Sequence, residues 1–336
     1  MNYKNLVNSG LKVSVIGFGG IPIQRIDGEN SKKVIIAAEE KGINFIDTAR
    51  GYSVSEEYIG EALLGRRDKW IIATKSMARD KNTMINDVNK SLNNLKTDYI
   101  DLYQLHNVKT LEEYNKVLDK DGAYAALLEL KEQGKVKHIG ITSHSIDILK
   151  IAIESGKFET IMYPYNIVED QGEEIFKRAK ELNIGVIAMK PMAGGAIKNG
   201  TLALKYILQN ENVTCAIPGM GTIEEVEENA KVASNEIKLT ESEELEAKKI
   251  SEELGTEFCR RCGYCGPCTQ GIDIPGIFLL QGYKERYDLQ NWAEDRYEAL
   301  KVTAKDCIEC GSCEAKCPYN LPIRRMLKGV KKTFGK

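Results

Sequence analysis

Neither sign of charge dominates this sequence, and it holds no long apolar run. Its 47 Lys and Arg against 49 Asp and Glu leave a formal net charge of −2. That balance gives no general attraction to nucleic acid or to an anionic membrane. No uninterrupted stretch approaches the roughly 20 apolar residues of a spanning helix. Met1 to Leu11 is too polar for the apolar segment of a secretory leader. These absences predict a cytoplasmic chain with neither membrane nor nucleic acid among its partners. Also missing is a GxGxxG opening a helix, since Gly17-Phe18-Gly19-Gly20 lacks the spacing of the dinucleotide fingerprint. That counts against a doubly wound sheet, and the glycines read as a close-packed turn. No low-complexity segment occurs, and no repeat beyond an alternation of strands and helices.

What is present is length and periodicity. With 336 residues and a hydrophobic share of 42%, the chain can bury a substantial core, enough for one large barrel and a small module. Lys12 to Gly20 reads as a first barrel strand, followed by a helix over 31–41 that Gly42 closes. Asn44-Phe45-Ile46 reads as a second strand, and Ser53-x-x-Glu56 has the form of a capping box for a helix ending near Gly65. Further strands are expected over 70–75, 99–106, 136–142, 160–165, 186–189 and 213–217, with helical stripes between them. Ser145 and Thr222-x-x-Glu225 carry cap patterns. Eight such units at spacings of roughly 25 to 35 residues are the pattern of a (β/α)8 barrel. Thr240-x-x-Glu243 caps one more helix to Gly255, which reads as a brace or a linker and ends a domain over 1–255.

The nine cysteines are distributed unevenly: Cys215 stands alone in an apolar strand, and the other eight lie between Cys259 and Cys317. Without a leader, such clustering indicates metal or cluster ligation rather than disulfides, and it marks a second domain over 256–336. Cys307-x2-Cys310-x2-Cys313-x3-Cys317-Pro318 matches the bacterial [4Fe-4S] run. Cys259-x2-Cys262-x2-Cys265-x2-Cys268 is a near copy, one residue short before its last Cys. Paired zinc knuckles are the alternative, but they need neither this pattern nor a Cys-Pro ending.

Three successive strands end on chemistry: Asp47 closes the second, Lys75 the third and His106 the fourth. Tyr52 stands in the loop five residues beyond Asp47. All four would face the C-terminal mouth of a parallel barrel, where barrel enzymes keep their catalytic groups. Singly, each has a bland reading as a helix cap, a solvated charge or a structural histidine. Jointly, they suit the reduction of a carbonyl, which leaves an alkoxide to be protonated. A phenol of pKa about 10 is a poor acid until a cation lowers it. Lys75 would be that cation, held by Asp47, with His106 on the substrate oxygen.

The order and context of Asp47, Tyr52, Lys75 and His106 resemble the aldo-keto reductases, over about residues 1–235. The resemblance implies an oxidoreductase acting on a small carbonyl or alcohol with a nicotinamide cofactor. Thr142 and Ser143 stand where that family usually has Ser-Asn around the nicotinamide amide. Met162 replaces a glutamine, although Asn166 follows in a familiar Tyr-Asn context. Met189 replaces a stacking aromatic, and Lys190 sits in Lys-Pro-Met where Ser-Pro-Leu is commoner. Gly19 and Gly20 belong to the first turn at the barrel mouth, and Pro218-Gly219 and Glu228-Asn229 match. Gly221 and Thr222 replace the Ser and Lys or Arg that hold the 2′-phosphate of NADP, and Glu225 would repel that group. NAD(P)H is the implied cofactor with NADH favoured, while Met162, Met189 and Lys190 leave room for a flavin.

The 38 residues between the cysteine runs carry helical stripes, so the module resembles the α-helical ferredoxins found in aldo-keto reductases with a C-terminal iron-sulfur extension. That resemblance implies two [4Fe-4S] clusters with crossed ligation. Cys259, Cys262, Cys265 and Cys317 would hold one, and Cys307, Cys310, Cys313 and Cys268 the other. The basic tail (Arg324, Arg325, Lys328, Lys331, Lys332, Lys336) reads as a solvated helix face, with docking of an acidic electron carrier such as ferredoxin or flavodoxin as the alternative. Function then reads as carbonyl reduction with the clusters as an attached wire. Competing readings make the clusters a structural clip, couple the barrel to ferredoxin through a flavin, or turn the chain into a cofactor-binding redox sensor.

Overall fold

A computed structural model describes residues 1–6, 10–233, 237–286 and 289–335; Lys336 lies outside them. The first strand differs from expectation. Tyr3–Asn5 (β1) and Lys12–Ser14 (β2) pair antiparallel as a hairpin, and the barrel strand of the run Lys12 to Gly20 is Phe18–Gly19 (β3), preceded by the single bridge of Ile16. The reason is burial. Leu6 and Val13 of the hairpin pack against Phe45, Leu102, Met162 and Cys215. An added Cβ on Gly185 would stand only 1.8 Å from the Leu6 carbonyl oxygen. The hairpin therefore plugs the N-terminal end of the barrel, and apolar residues that read as one strand serve two structures.

Strands and helices then alternate: Gly28–Glu40 (α1), Phe45–Asp47 (β4), Ser55–Ala62 (α2), Ile71–Ser76 (β5), Lys81–Leu95 (α3) and Ile100–Leu105 (β6). Leu111–Leu118 (α4) is an additional short helix before Ala123–Glu132 (α5) and Val136–Thr142 (β7). The barrel finishes with Ile146–Glu154 (α6), Thr160–Pro164 (β8), Glu173–Glu181 (α7), Gly185–Met189 (β9), Gly200–Leu208 (α8), Cys215–Ile217 (β10) and Ile223–Val232 (α9). Strands β3 to β10 pair in parallel and in sequence order. Single bridges, Ile16 to Ala216 and Gly19 to Gly219, join its two edges. The result is a (β/α)8 barrel.

Local chemistry explains the helix starts. Asp27, Asp80 and Ser145 each accept a backbone N–H in the first turn of their helices. Thr222 and Glu225 form a full capping box on α9. Helix α3 buries Met84, Val88, Leu92 and Leu95, a stripe at helical spacing. The expected capping box at Ser53 and Glu56 does not form. Helix α2 begins at Ser55 behind Val54, with no side-chain cap, and Glu56 turns inward.

The chain divides into two compact units. The barrel unit comprises 1–166, 170–191 and 200–239, and the second comprises 167–169, 192–199 and 240–336. Glu241–Gly255 (α10) groups with the second unit. That unit also contains Ile274–Arg286 (α11), Gln290–Glu298 (α12), Ser312–Ala315 (α13) and Ile323–Phe334 (α14). Its core joins Ile277, Phe278, Tyr297, Leu327 and Val330 to the cysteines Cys265, Cys313 and Cys317. Among the described residues, no helix is long and apolar enough to cross a membrane.

Candidate functional site

The barrel register places four side chains at one point of the mouth. Asp47 is the last residue of β4, Lys75 the penultimate residue of β5, and His106 follows β6 directly. Lys75 Nζ donates to Asp47 Oδ1 at 2.5 Å and to the Thr48 carbonyl at 2.8 Å. Both side chains are almost fully buried, 3% and 4% exposed. The same ammonium lies 4.9 Å from the centroid of the Tyr52 ring. The His106 ring stands edge-on to Tyr52, with centroids 6.2 Å apart.

Sequence reasoning missed three neighbours of this group. Gln104 lies beside Lys75 in the strand register and donates to Asp47 Oδ2 at 3.2 Å, satisfying the oxygen that Lys75 leaves. Arg79 donates to the carbonyls of His106 and Asn107, 3.0 Å each, and so holds the strand end that carries His106. Arg50 Nη1 pairs with Glu56 Oε2 at 2.5 Å. Glu56 also accepts from Thr74, Ser91 and Asn94. It is thus the anchor under the loop of Tyr52, and its only sequence signal was its mistaken resemblance to a cap.

The electrostatics differ from the expectation of an acidified phenol. Burial raises the Tyr52 hydroxyl above its ordinary 10.0; Lys75 pulls it down, Asp47 pushes it up, and burial prevails. Burial opposes charge on Lys75, yet Asp47 and Tyr52 outweigh it and hold the ammonium above its ordinary 10.5. Burial, then the cations Lys75 and Arg79, hold His106 well below 6.5, so its imidazole is neutral. His106 Nδ1 is buried and has no hydrogen-bond partner among the described residues.

Several of the expected cofactor contacts are committed to the backbone. Thr142 Oγ1 accepts from the Asn107 amide at 2.7 Å, and Ser143 Oγ donates to the Val108 carbonyl at 2.6 Å. Asn166 Nδ2 donates at 3.0 Å to the carbonyl of Lys190, a residue held at the left-handed φ of 58°. Met162 and Met189 belong to the apolar barrel interior. At Gly19 and Gly20 an added Cβ would stand 2.7 Å from the Pro218 carbonyl oxygen and 2.9 Å from the Asp47 carbonyl oxygen. Beyond the Pro218-Gly219 turn, Glu225 Oε2 accepts from the amides of Gly221 (2.6 Å) and Thr222 (3.2 Å). The amides that could receive a phosphate at this helix start thus already face a carboxylate. On α9, Glu228 is exposed and Asn229 buried.

In the second unit the cysteines form two sets. Cys259 and Cys262 both feel Cys317, and Cys265 feels Cys259, Cys262, Cys313 and Cys317. Cys268, Cys307, Cys310 and Cys313 line one pocket. Among the described residues no three ligand-type side chains converge as a single metal ion requires. Two arginines hold the first set. Arg260 donates to the Val168 carbonyl at 3.0 Å, and its guanidinium lies 4.1 Å from the ring centroid of Tyr319, two residues after Cys317. Arg261 Nη2 pairs with the fully buried Glu169 at 2.7 Å. Burial pushes Cys259 and Cys265 up to about 11 and about 12. Hydrogen bonds from Ser312 hold the exposed Cys310 down to about 7. Cys215 is an inert core thiol, pushed up by burial.

A match to the aldo/keto reductase family covers residues 15–201, and one to a 4Fe-4S dicluster domain covers 258–322. The uncharacterized oxidoreductase YqkF of Bacillus subtilis (strain 168) is 30% identical over 298 residues, spanning 72% of this chain and 94% of that protein. The holo form of the aldo-keto reductase AKR11C1 from Bacillus halodurans superposes with a TM-score of 0.66 at 28% identity, over 74% of this chain and 96% of that one. An aldo/keto reductase from Klebsiella pneumoniae, in complex with NADP and acetate, shares the fold with a TM-score of 0.63 at 21% identity, over 73% and 94% of the two chains.

Proposed function

The chain belongs to the aldo/keto reductase family and carries a 4Fe-4S dicluster domain, and from that premise we propose that it reduces a carbonyl, or oxidises the corresponding alcohol, by hydride transfer with Tyr52 as proton donor. The observation that carries this is the buried Lys75–Asp47 pair beneath the Tyr52 ring. A bound nicotinamide supplies the hydride. The chain's residues supply the rest. Tyr52 holds its proton at neutral pH, as a phenol of pKa about 10 does, and burial raises that value further. An alkoxide is far more basic than a phenolate, so the transfer is downhill without acidification. Lys75 then stabilises the phenolate that remains. Neutral His106, edge-on to the Tyr52 ring, can hold the substrate oxygen without competing for the proton.

NADH is the preferred donor in this reading, because Glu225 occupies the amides of Gly221 and Thr222 and adds a negative charge where a 2′-phosphate would sit. The cysteine donor sets fit two [4Fe-4S] clusters with the crossed ligation described above, and we assign them one-electron transfer to and from a carrier protein. Steady-state turnover of an aldehyde panel with NADH and NADPH, on anaerobically purified protein, tests the assignment. Tight nicotinamide binding without turnover would favour a redox sensor instead.

A further inference from the structure

The loop from Ile308 to Cys310 is exposed, and the helix that follows the second cysteine run is strongly basic. Ile308, between Cys307 and Cys310, is 61% exposed, yet it lines the same pocket as Cys268, Cys307, Cys310 and Cys313. Cys310 itself is exposed. Arg324 and Leu327 of α14 complete that pocket. Helix α14 carries Arg324, Arg325, Lys328, Lys331 and Lys332 and no acidic residue. From Lys305 to Gly335 there are seven Lys and Arg against three Asp and Glu, in a chain whose net charge is −2.

The cations converge on the cysteine loop. Lys328 Nζ lies 2.8 Å from Glu309 Oε2. The apolar side of the helix is already used, because Ile323, Leu327 and Val330 are buried in the unit's core. An amphipathic helix lying on a bilayer needs that side free, which disfavours a membrane as the occupant. Arg324 pairs with Glu314, Arg325 with Glu257 and Lys328 with Glu309, and among the described residues Lys331 and Lys332 have no carboxylate partner. The outward face therefore joins the exposed Ile308 to a rim of net positive charge. Small transient electron-transfer contacts take this form, with charge steering the encounter.

We propose that this face, centred on Ile308 and rimmed by Lys328 and Lys331, docks a small acidic one-electron carrier protein that exchanges electrons with the cluster held by Cys268, Cys307, Cys310 and Cys313. The proposal rests on the reading of the clusters as electron carriers. One electron passes from the reduced carrier to the oxidised cluster, and no bond or proton moves.

The test uses the full, cluster-loaded chain under anaerobic conditions with a plant-type [2Fe-2S] ferredoxin as probe. Calorimetry with both partners oxidised reads docking without electron flow, and stopped-flow absorbance reads reduction. Affinity and rate should both fall on the order of tenfold or more between low salt and about 0.5 M salt. Lys328→Glu with Lys331→Glu should lower both about tenfold at low salt. Ile308→Gln should lower affinity with little change in salt dependence. The EPR spectrum of the lysine variant should match the parent, and photoreduced deazaflavin, a small reductant, should reduce both at equal rates. Salt-independent binding that ignores the lysine changes would overturn the docking face. So would stronger binding of a DNA duplex or of anionic vesicles than of ferredoxin. Clusters that deazaflavin cannot reduce would instead sink the electron-carrier reading on which the proposal rests.

Discussion

Arg50 Nη1 lies 2.5 Å from Glu56 Oε2, and this ion pair ties the turn that presents Tyr52 to helix α2 behind it. Glu56 is 1% exposed and spends its remaining acceptor capacity on β5 and α3, through Thr74, Ser91 and Asn94. Removing its charge leaves Arg50 partly buried without a counter-ion. Breaking such a pair costs about 3 kcal/mol. Glu56→Gln should therefore lower Tm, and kcat should fall roughly tenfold as Tyr52 loses its fixed position. Arg50→Met should behave alike, and a double-mutant cycle should show strong coupling. Independent, additive effects would separate the pair from the catalytic loop.

Tyr52→Phe keeps the ring and removes the transferable proton. Its kcat should drop by a factor on the order of 10² to 10⁴, with nicotinamide affinity nearly unchanged. The pH profile gives a second check. Tyr52 must hold its proton to donate it, and its pKa lies above 10.0, so carbonyl reduction should persist to about pH 10 and decline only beyond. His106, held well below 6.5, stays neutral as pH falls through that value, so no acid step should appear near 6.5. Because the unfolded chain would take up that proton and the folded chain does not, His106 makes stability fall as pH drops below about 6.5. A kcat/KM profile that loses activity between about pH 6 and pH 9 would contradict both assignments.

The barrel and the meeting of Asp47, Tyr52, Lys75 and His106 were legible because each strand ends on its own chemistry, and a parallel register brings strand ends together. The hairpin was not. Lys12 to Gly20 is apolar enough for one strand, and only the Leu6 and Val13 contacts show that part of it plugs the barrel end. Arg50, Gln104 and Arg79 escaped notice because their partners are 6 to 57 positions away in sequence. Glu56 was misread because a Ser three residues earlier imitates a cap, while the backbone at Ser53 (φ 36°) turns that residue out of the helix. The acidification of Tyr52 by Lys75 was overstated, since periodicity conveys neighbours but not the depth of burial.

Glu225 offers a specific handle on cofactor choice. Glu225→Gln keeps a side-chain oxygen for the amides of Gly221 and Thr222 but removes the charge facing any 2′-phosphate. NADPH affinity should rise about tenfold, equivalent to about 1.4 kcal/mol, with NADH affinity little changed. The stability loss should stay within about 1 kcal/mol because the cap is retained in weakened form. Fluorescence titration of both nicotinamides reads the result, and a parent protein that already prefers NADPH would refute the premise.

The two cysteine sets predict an asymmetric response to single substitutions. Cys317 ends the second run, yet it acts on Cys259, Cys262 and Cys265 of the first, and Cys268 ends the first run beside Cys307, Cys310 and Cys313. With crossed ligation, Cys317→Ser should damage the cluster of the Cys259 run and Cys268→Ser that of the Cys307 run. Intact anaerobic protein should hold about eight iron atoms, and each variant should retain one undisturbed EPR signal. Individual cysteines also differ in what they support. Cys265, Cys313 and Cys317 lie in the core of the second unit, whereas Cys310 is exposed. Losing Cys317 should therefore lower the thermal stability of the C-terminal helices, while Cys310→Ser should cost iron with far less unfolding. Circular dichroism beside iron analysis separates the two outcomes. Equal unfolding in both variants would make both clusters structural pins, and about four iron atoms in the parent would leave only one cluster to assign.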